Sequence, residues 1–247
     1  MLDPIQNAIG VYLSFLYSFV PSLGISIILL TLSIMLLLYP FSHKQTVSTI
    51  KQQELRPKVA KLKKKFKDKQ ELNQEIMKMY KEEGINPVAG CLPLVIQLPI
   101  FFSLFRLFRN IQDHIPVKGK LFSDICGSTQ ASKCSPDSNF FGLDLFSSLS
   151  KTDSFLTAIP YILILVALMY SAYIQVTLSA KRSPEQNKLI NAMRYIAPAL
   201  AGIFSISLTA ALNIYLLTSS IWRFLQQEYI YRFIIPKHKN KNKKKGD

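Results

Sequence analysis

An amide side chain, Gln97, lies between two prolines, Pro93 and Pro99, in an apolar run that extends to Phe102. A helix that only anchors a protein in lipid gains nothing from such residues. Each of them leaves hydrogen-bonding groups that neighbouring protein or water must satisfy, because hydrocarbon offers no partner. The run therefore predicts a helix with one face on water or protein, and the chemistry it offers is hydrogen bonding.

Catalytic residues are not expected in this chain. An intramembrane enzyme needs a nucleophile with a base, a carboxylate pair or metal ligands inside its helical bundle. The histidines, His43, His114 and His238, lie outside the apolar segments, and no Asp or Glu lies in the interior of one. The sequence also lacks a GxxxxGKS/T phosphate-binding loop. It therefore predicts no enzymatic activity, no metal site and no cofactor.

The composition indicates a membrane protein. The chain has 247 residues and a mean hydropathy of +0.20, and several of its apolar runs approach the roughly 20 residues that cross a bilayer as a helix. The 30 Lys and Arg outnumber the 15 Asp and Glu. In a soluble protein this excess would suggest nucleic acid. Here it is concentrated in segments 43–81, 181–194 and 232–245, which indicates membrane topology instead.

Five apolar segments can be drawn, at 23–41, 88–111, 155–179, 189–208 and 209–230. The last two share one apolar stretch, 196–221, which is longer than one span needs and short for two. A single crossing there would put the basic tail opposite the other basic segments, against the positive-inside rule. A tight hairpin turn near Leu208 and Thr209 restores all three to the cytosol. We therefore expect a multi-pass protein of the bacterial plasma membrane, with its N-terminus outside and its C-terminus in the cytoplasm.

The predicted fold is all-α, with five transmembrane helices, an N-terminal interfacial helix and a cytosolic helical hairpin. Its segments are the outer interfacial helix (1–22), the first span (23–41), the cytosolic hairpin (42–87), the second span (88–111), the external loop (112–154), the third span (155–179), a cytosolic loop (180–188), the fourth and fifth spans (189–230) and a basic cytosolic tail (231–247). The interfacial helix is predicted because Asp3, Asn7, Gly10 and Ser14 share one side of a helical wheel. A frayed apolar terminus is the alternative.

The cytosolic segment predicts an amphipathic helical hairpin. Leu55, Val59 and Leu62 recur at helical spacing, a polar break follows at 67–69, and Pro57 favours a helix start or a kink in the first arm. The lysines of the hairpin and tail form a dense positive surface that fits ribosomal RNA or anionic lipid headgroups. A solvated face that only fixes topology fits nearly as well. The lysines are Lys58, Lys61, Lys63, Lys64, Lys65, Lys243, Lys244 and Lys245.

Two of the three cysteines, Cys126 and Cys134, lie in the loop predicted to be external. Their short separation, with Gly127 between them, permits a disulfide in an oxidising compartment. Two free thiols are the alternative.

Several motifs, taken in order, resemble the YidC/Oxa/Alb family of membrane protein insertases. The specific one is the run 86–102 around Gln97, and the weaker ones are at 23–28, 39–40, 55–58, 80–81, 226–227 and 229–232. The resemblance covers almost the full chain apart from the external loop and the tail. It implies a five-helix bundle around a hydrophilic groove that opens to the cytosol and to lipid. The candidate groove residues are Gln97, Thr31, Met35, Arg194, Arg223, Ser219 and Ser220.

The function implied by the resemblance is insertion of membrane proteins, whose hydrophilic segment enters the groove while the apolar helix moves into lipid. It implies nascent membrane proteins as partners, the Sec translocon, the ribosome and anionic lipids as further candidates, and action as a monomer. A small-solute transporter or channel is the rival interpretation, because Gln97, Thr31 and Arg223 could line a pore. Against it, the sequence has no convincing inverted repeat and no interior carboxylate for ion coupling. A third interpretation is a passive ribosome receptor.

One residue of the family pattern is missing. The family has an arginine in the first span about five residues before the closing proline, where this chain has Met35. Arg194 and Arg223 each lie about fifteen residues from the expected turn, which is roughly 22 Å along a helix. In a hydrocarbon core about 30 Å thick, each would therefore lie roughly 8 Å inside the cytosolic boundary. We hypothesise that Arg223, or failing that Arg194, supplies the groove cation; the alternative is that both snorkel to the headgroups. Ser219 and Ser220 could face the groove or bond carbonyls of their own helix.

Overall fold

The computed structural model describes residues 3–66, 68–84, 92–117, 119–126, 139–152, 154–181 and 188–234. These residues form nine α-helices and one β-hairpin. The helices are α1 (Asp3–Phe19), α2 (Leu23–Leu37), α3 (Tyr39–Lys65), α4 (Lys69–Glu82), α5 (Leu92–Arg109), α6 (Lys120–Cys126), α7 (Phe155–Lys181), α8 (Lys188–Ile206) and α9 (Ala210–Tyr229), and the strands are β1 (Asn139–Phe140) and β2 (Leu143–Asp144). The chain is thus mainly helical, as the sequence predicts.

The chain divides into two compact units. The first contains Met1–Leu37, Gln97–Ala172 and Pro198–Trp222, and the second contains Leu38–Ile96, Tyr173–Ala197 and Arg223–Asp247. Fully buried side chains of the first unit come from α1, α2, α5, α6 and α9, among them Leu13, Ile27, Leu104, Leu121 and Leu212. This core positions the polar residues described below.

Helix α1 packs its small and polar face against the rest of the first unit. The buried residues of this face are Gln6, Gly10, Leu13, Ser14 and Tyr17. Gly10 lies so close to the backbone of His114 that a Cβ there would overlap the carbonyl oxygen. The opposite face is apolar and exposed, with the aromatic residues Tyr12, Phe15 and Phe19. An outward aromatic face suits a membrane interface, and the interfacial position itself stays a prediction.

Tyr17 joins α1 to α6. Its hydroxyl donates a hydrogen bond to the Asp124 carboxylate at 3.1 Å. Burial raises the pKa of Tyr17 above its ordinary value, and the hydrogen bond to Asp124 and the negative charge of that carboxylate raise it further. A second link joins Asn7 Oδ1 to His114 Nδ1 at 2.8 Å. These bonds hold the start of the chain on segment 111–126.

The segment predicted as a plain external loop has a structure of its own. Strands β1 and β2 pair antiparallel, with Asn139 opposite Asp144. Phe141 and Gly142 between them have φ of 52° and 80°, the left-handed conformation that a two-residue hairpin turn requires. Five apolar residues from this segment are buried in the core: Ile115, Leu121, Ile125, Leu143 and Leu145. The segment therefore forms part of the first unit.

The same segment caps the start of α9. The backbone N–H groups of Ala210 and Ala211 donate to the carbonyl oxygens of Ser147 and Leu145, each at 2.9 Å. The first amides of a helix have no partner within it, so these bonds satisfy two groups that would otherwise be left unpaired. Helix α8 ends at Ile206, and the break before α9 contains the two residues where the sequence analysis expects a turn.

The expected first span, 23–41, is interrupted. Helix α2 ends at Leu37, and a new helix, α3, begins at Tyr39. Pro40 lies in the first turn of α3, where its missing N–H costs nothing and its fixed φ suits the start of a helix. The proline thus starts a new helix instead of closing the span.

The second unit contains the helical hairpin of α3 and α4. Pro57 lies within α3, which is continuous from Tyr39 to Lys65, so it does not divide the first arm. Asp68 caps α4 by accepting the backbone N–H groups of Gln70 and Glu71 at 3.3 Å. Lys58 and Glu83 join the two arms at 2.6 Å.

Within the described residues, α7 is the one helix that is long and apolar enough by itself to cross a membrane. Helices α2 and α3 meet the same requirement of length and composition when the two are taken together. The five-span count therefore stays a prediction.

Candidate functional site

The candidate site centres on Gln97, which points from α5 to α9. Its side-chain Nε2 donates a hydrogen bond to the hydroxyl of Tyr215. Tyr215 is fully buried, whereas Gln97 is half-buried. The amide noted in the apolar run is therefore held by a phenol on a neighbouring helix and remains partly accessible.

Tyr215 begins a short row of polar residues on α9. Ser219 lies one turn further along, next to Ser220, so the row extends over roughly 7.5 Å at about 1.5 Å per residue. Ser220 Oγ lies 2.9 Å from Ser171 Oγ of α7, and Ser219 donates to the Leu216 carbonyl at 3.0 Å. We call Gln97, Ser171, Tyr215, Ser219 and Ser220 the α9 polar row. It links α5, α7 and α9 within the first unit.

Other buried polar groups of the first unit lie outside this row. Thr31 in α2 is fully buried and donates to the Ile27 carbonyl at 2.7 Å. Ser205 and Asn213 bridge the break between α8 and α9, with Ser205 Oγ donating to Asn213 Oδ1 at 2.7 Å. Ser103 of α5 is buried, and its hydroxyl has no hydrogen-bond partner among the residues described. A buried polar group without a partner is costly, so such a group favours an incoming polar partner.

Polar residues of the second unit join α9 to α3 and α7. Gln226 Nε2 donates to Ser42 Oγ at 2.9 Å, and Gln227 Nε2 donates to Ser179 Oγ at 3.3 Å. These amides belong to residues 226–227, one of the motifs that resemble the insertase family. Their contacts fasten the end of α9.

Comparison with known proteins shows the family of this chain. The sequence model of the family described as 60Kd inner membrane protein matches residues 15–239, most of the chain. The chain belongs to this family. Membership makes it a bacterial membrane protein, as the apolar segments predict.

Relatives and a solved structure agree with this assignment. The chain is 30% identical over 254 residues to a protein of Clostridium perfringens named Membrane protein insertase YidC, with 99% of this chain and 96% of the relative covered. A YidC of Actinobacillus succinogenes is 32% identical over 94% of this chain and 38% of its own length, and one of Treponema denticola is 40% identical over 44% of this chain and 19% of its own. A crystal structure described as an active YidC insertase with its first transmembrane domain resolved matches with a TM-score of 0.63 at 25% identity, over 93% of this chain and 46% of that one. The chain thus spans nearly the whole of one relative and less than half of the others.

The candidate groove residues fall in both units. Gln97, Thr31, Met35, Ser219 and Ser220 belong to the first unit, whereas Arg194 and Arg223 belong to the second. Met35 is buried. Arg194 and Arg223 are half-buried, and Arg194 Nε is buried without a hydrogen-bond partner among the described residues.

The other candidate residues lie at the surface or outside the described residues. Lys58, Lys61, Lys63, Lys64 and Lys65 are exposed on α3. Four of these candidate residues lie outside the described part of the chain: Lys243, Lys244, Lys245 and Cys134. The disulfide between Cys126 and Cys134 therefore stays a prediction. Within the part of the chain that the structure describes, no group of three His, Cys, Asp or Glu side chains is placed to hold a metal ion.

Sequence reasoning missed Tyr215 and Ser171. Both are hydroxyl-bearing residues in long apolar helices, where a polar side chain signals a contact with another helix or with water. A single sequence does not show which faces meet, so the partner of Gln97 had to come from the structure.

Proposed function

We propose that this protein is a membrane protein insertase that lets a hydrophilic segment of a nascent membrane protein move through a polar groove while the apolar segment enters lipid. The observation that carries this proposal is the hydrogen bond between half-buried Gln97 of α5 and fully buried Tyr215 of α9. Relatives with the name Membrane protein insertase YidC support it.

The physical argument concerns the cost of moving polar groups through hydrocarbon. Each unsatisfied backbone or side-chain group costs several kcal/mol there. The α9 polar row supplies an amide and several hydroxyls that can donate and accept hydrogen bonds in turn. Even partial satisfaction lowers the barrier, and transfer of the client's apolar helix into lipid supplies the driving force, so the reaction needs no nucleotide and no covalent step.

The topology that fits this function is the one the charges predict. Five spans place the N-terminus outside and the basic segments, including the α3–α4 hairpin, in the cytosol. The proposed partners are nascent membrane proteins, with the Sec translocon, the ribosome and anionic lipids in accessory roles. The exposed lysines of α3 fit contact with ribosomal RNA or lipid headgroups.

A groove cation is a separate part of the proposal. Met35 is buried and neutral, so the first span supplies no positive charge at that position. Arg223 or Arg194 is proposed to take that role. Support comes from Arg194, whose Nε is buried without a hydrogen-bond partner in the described part of the chain, an arrangement that favours an acidic partner.

Reconstitution tests the function class. The purified chain in liposomes is given a small coat-like client, protease protection reports insertion, and an entrapped labelled solute reports leakage or transport. The expected result is more protease-protected client than in protein-free liposomes, without flux of the entrapped solute. Solute flux without insertion would replace the proposal by the transporter alternative. A passive receptor predicts no insertion by the wild-type chain in this ribosome-free assay. With ribosomes present, deletion of residues 237–245 should abolish the function of a receptor, whereas an insertase should lose only ribosome docking.

A further inference from the structure

A second polar site lies in the first unit, away from the α9 polar row. It is a cavity of about 440 Å³ between the C-terminal end of α5, the segment after β2 and the break before α9. This volume lies within the range of roughly 300 to 1,000 Å³ that small-ligand sites have. The proposed groove uses none of its residues.

The lining of the cavity divides into a cationic part and an apolar part. Arg109 and Lys151 supply two positive charges, and the described residues that line the cavity include no carboxylate. The apolar part consists of Phe105, Phe108, Ile111, Phe146 and Leu212. A ligand that fits this lining carries an anionic group next to an apolar one.

Hydroxyl groups complete the polar part. Ser148, Ser207 and Thr209 line the cavity, and Thr209 Oγ1 is buried without a hydrogen-bond partner among the residues that the structure describes. A buried hydroxyl in this state gains a hydrogen bond when an anion oxygen enters. The unpaired hydroxyl therefore points to a ligand independently of the two charges.

The helix ends do not decide the sign of the site. The C-terminal end of α5 carries roughly half a negative charge and the N-terminal end of α9 roughly half a positive one, so the two nearly cancel. The two full charges of Arg109 and Lys151 then make the cavity positive.

We propose that this cavity binds the phosphate headgroup of an anionic phospholipid, with Arg109 and Lys151 on the phosphate, Thr209 as a further donor and the phenylalanines against the glycerol and first acyl carbons. A lipid is favoured over a free phosphate because the apolar residues would gain no partner from the latter. It is favoured over an acidic peptide because the chain is a membrane protein, and anionic lipid is its permanent neighbour.

Lipid retention measured on the full chain tests the proposal. The protein is extracted from vesicles of phosphatidylcholine with increasing phosphatidylglycerol, and native mass spectrometry counts the lipids that remain bound. The test variant is R109Q/K151Q. Its matched control is R106Q/K120Q, which removes two exposed positive charges from α5 and α6 that do not line the cavity.

The wild-type chain should retain phosphatidylglycerol in preference to phosphatidylcholine. R109Q/K151Q should bind it roughly tenfold more weakly and R106Q/K120Q about as well as the wild type. Thr209→Val, which keeps the shape of the side chain, should weaken binding roughly threefold. Equal retention of both lipids, equal losses in the two double variants, or no loss in R109Q/K151Q would overturn the proposal.

Two further arms separate the alternatives. Water-soluble glycerol phosphate that displaces the lipid at equal concentration would show a free-anion site and overturn the lipid assignment, as would displacement by an acidic peptide. Thermal unfolding midpoints that agree among the variants exclude misfolding as the cause of a loss. No client protein is present, so the outcome does not depend on whether the chain inserts proteins.

Discussion

Removing the amide of Gln97 should slow insertion of clients with polar segments. Gln97→Leu deletes the donor to Tyr215 and puts an apolar side chain of similar size in its place. A hydrogen bond in a folded protein contributes about 0.5 to 1.5 kcal/mol net. If a translocating segment makes one such bond with the amide, its barrier rises by about the same amount. Insertion should therefore slow by roughly 2- to 13-fold, since about 1.4 kcal/mol corresponds to a factor of ten.

The assay compares two clients that share one apolar helix. One has a translocated segment rich in Asp, Asn and Ser, and the other has a short segment of Ala and Gly. Initial rates of protease-protected product are measured in liposomes for the wild type, Gln97→Leu and Gln97→Asn. The polar client should slow with Gln97→Leu and recover at least half of its rate with Gln97→Asn, and the other client should change by less than about twofold. Gln70→Leu on exposed α4 makes the same chemical change away from the site and should leave both rates unchanged.

Tyr215 distinguishes a client contact from a purely structural one. Interhelical hydrogen bonds in membranes contribute on average about 0.6 and at most about 1.7 kcal/mol in double-mutant cycles. Gln97→Leu, Tyr215→Phe and the double variant should show coupling of this size in thermal stability. Both single variants could instead slow insertion of the two clients equally, in proportion to the thermal stability that each variant loses. That result would show that the amide only holds α5 to α9, and it would refute a contact between Gln97 and the client.

Three further predictions concern other residues. Arg223→Ala should slow an acidic client several-fold and a neutral one little, measured by the same protection assay, if this residue supplies the groove cation; equal rates for both clients would leave snorkelling as its role. Asp68→Ala should destabilise the first turn of α4 by about 1 kcal/mol, seen as roughly fivefold faster hydrogen exchange there, whereas unchanged exchange would show that the cap contributes nothing. The pKa of Tyr17 is raised in the folded state, so its contribution to folding stability is complete below the pKa of the unfolded state, near 10, and is lost as the pH rises through the pKa of the folded state. Hydrogen exchange in α1 should therefore accelerate above pH 10 in the wild type and accelerate less in Tyr17→Phe. Identical pH profiles of the two proteins would contradict this prediction.

The helical architecture could be predicted because its determinants are local. Apolar runs of span length, basic segments between them and the proline at position 40 are visible in the sequence. The break between α2 and α3 at Leu38 could be located only to within a few residues. A proline in the first turn of a helix and a proline at the end of a span leave similar sequence patterns.

The packing of segment 112–154 could not be predicted. The sequence predicts only an external loop here, whereas Leu121, Leu143 and Leu145 are buried and two carbonyls of the segment cap α9. These leucines lie in apolar runs that are too short to establish a helical or strand period. A cap formed by a distant carbonyl leaves no sequence signal.

Gln97 was identifiable and its partner was not. A lone amide between two prolines in an apolar run is informative by itself, but Tyr215 is one of eleven tyrosines. Which of them faces α5 depends on helix rotation, and periodicity alone does not fix rotation when α9 is apolar on several sides.

The central claim is that the face of α5 that carries Gln97 meets the polar segment of a client. Photo-crosslinking to stalled nascent chains measures this directly, with the crosslinking residue at position 97 and, as the control, at exposed position 98 on another face of the helix. Crosslinks from position 97 to the hydrophilic segment, and from position 98 only to lipid or the apolar helix, are predicted. The account would be contradicted if position 97 gave no crosslink to the hydrophilic segment, or if positions 97 and 98 crosslinked to that segment equally strongly.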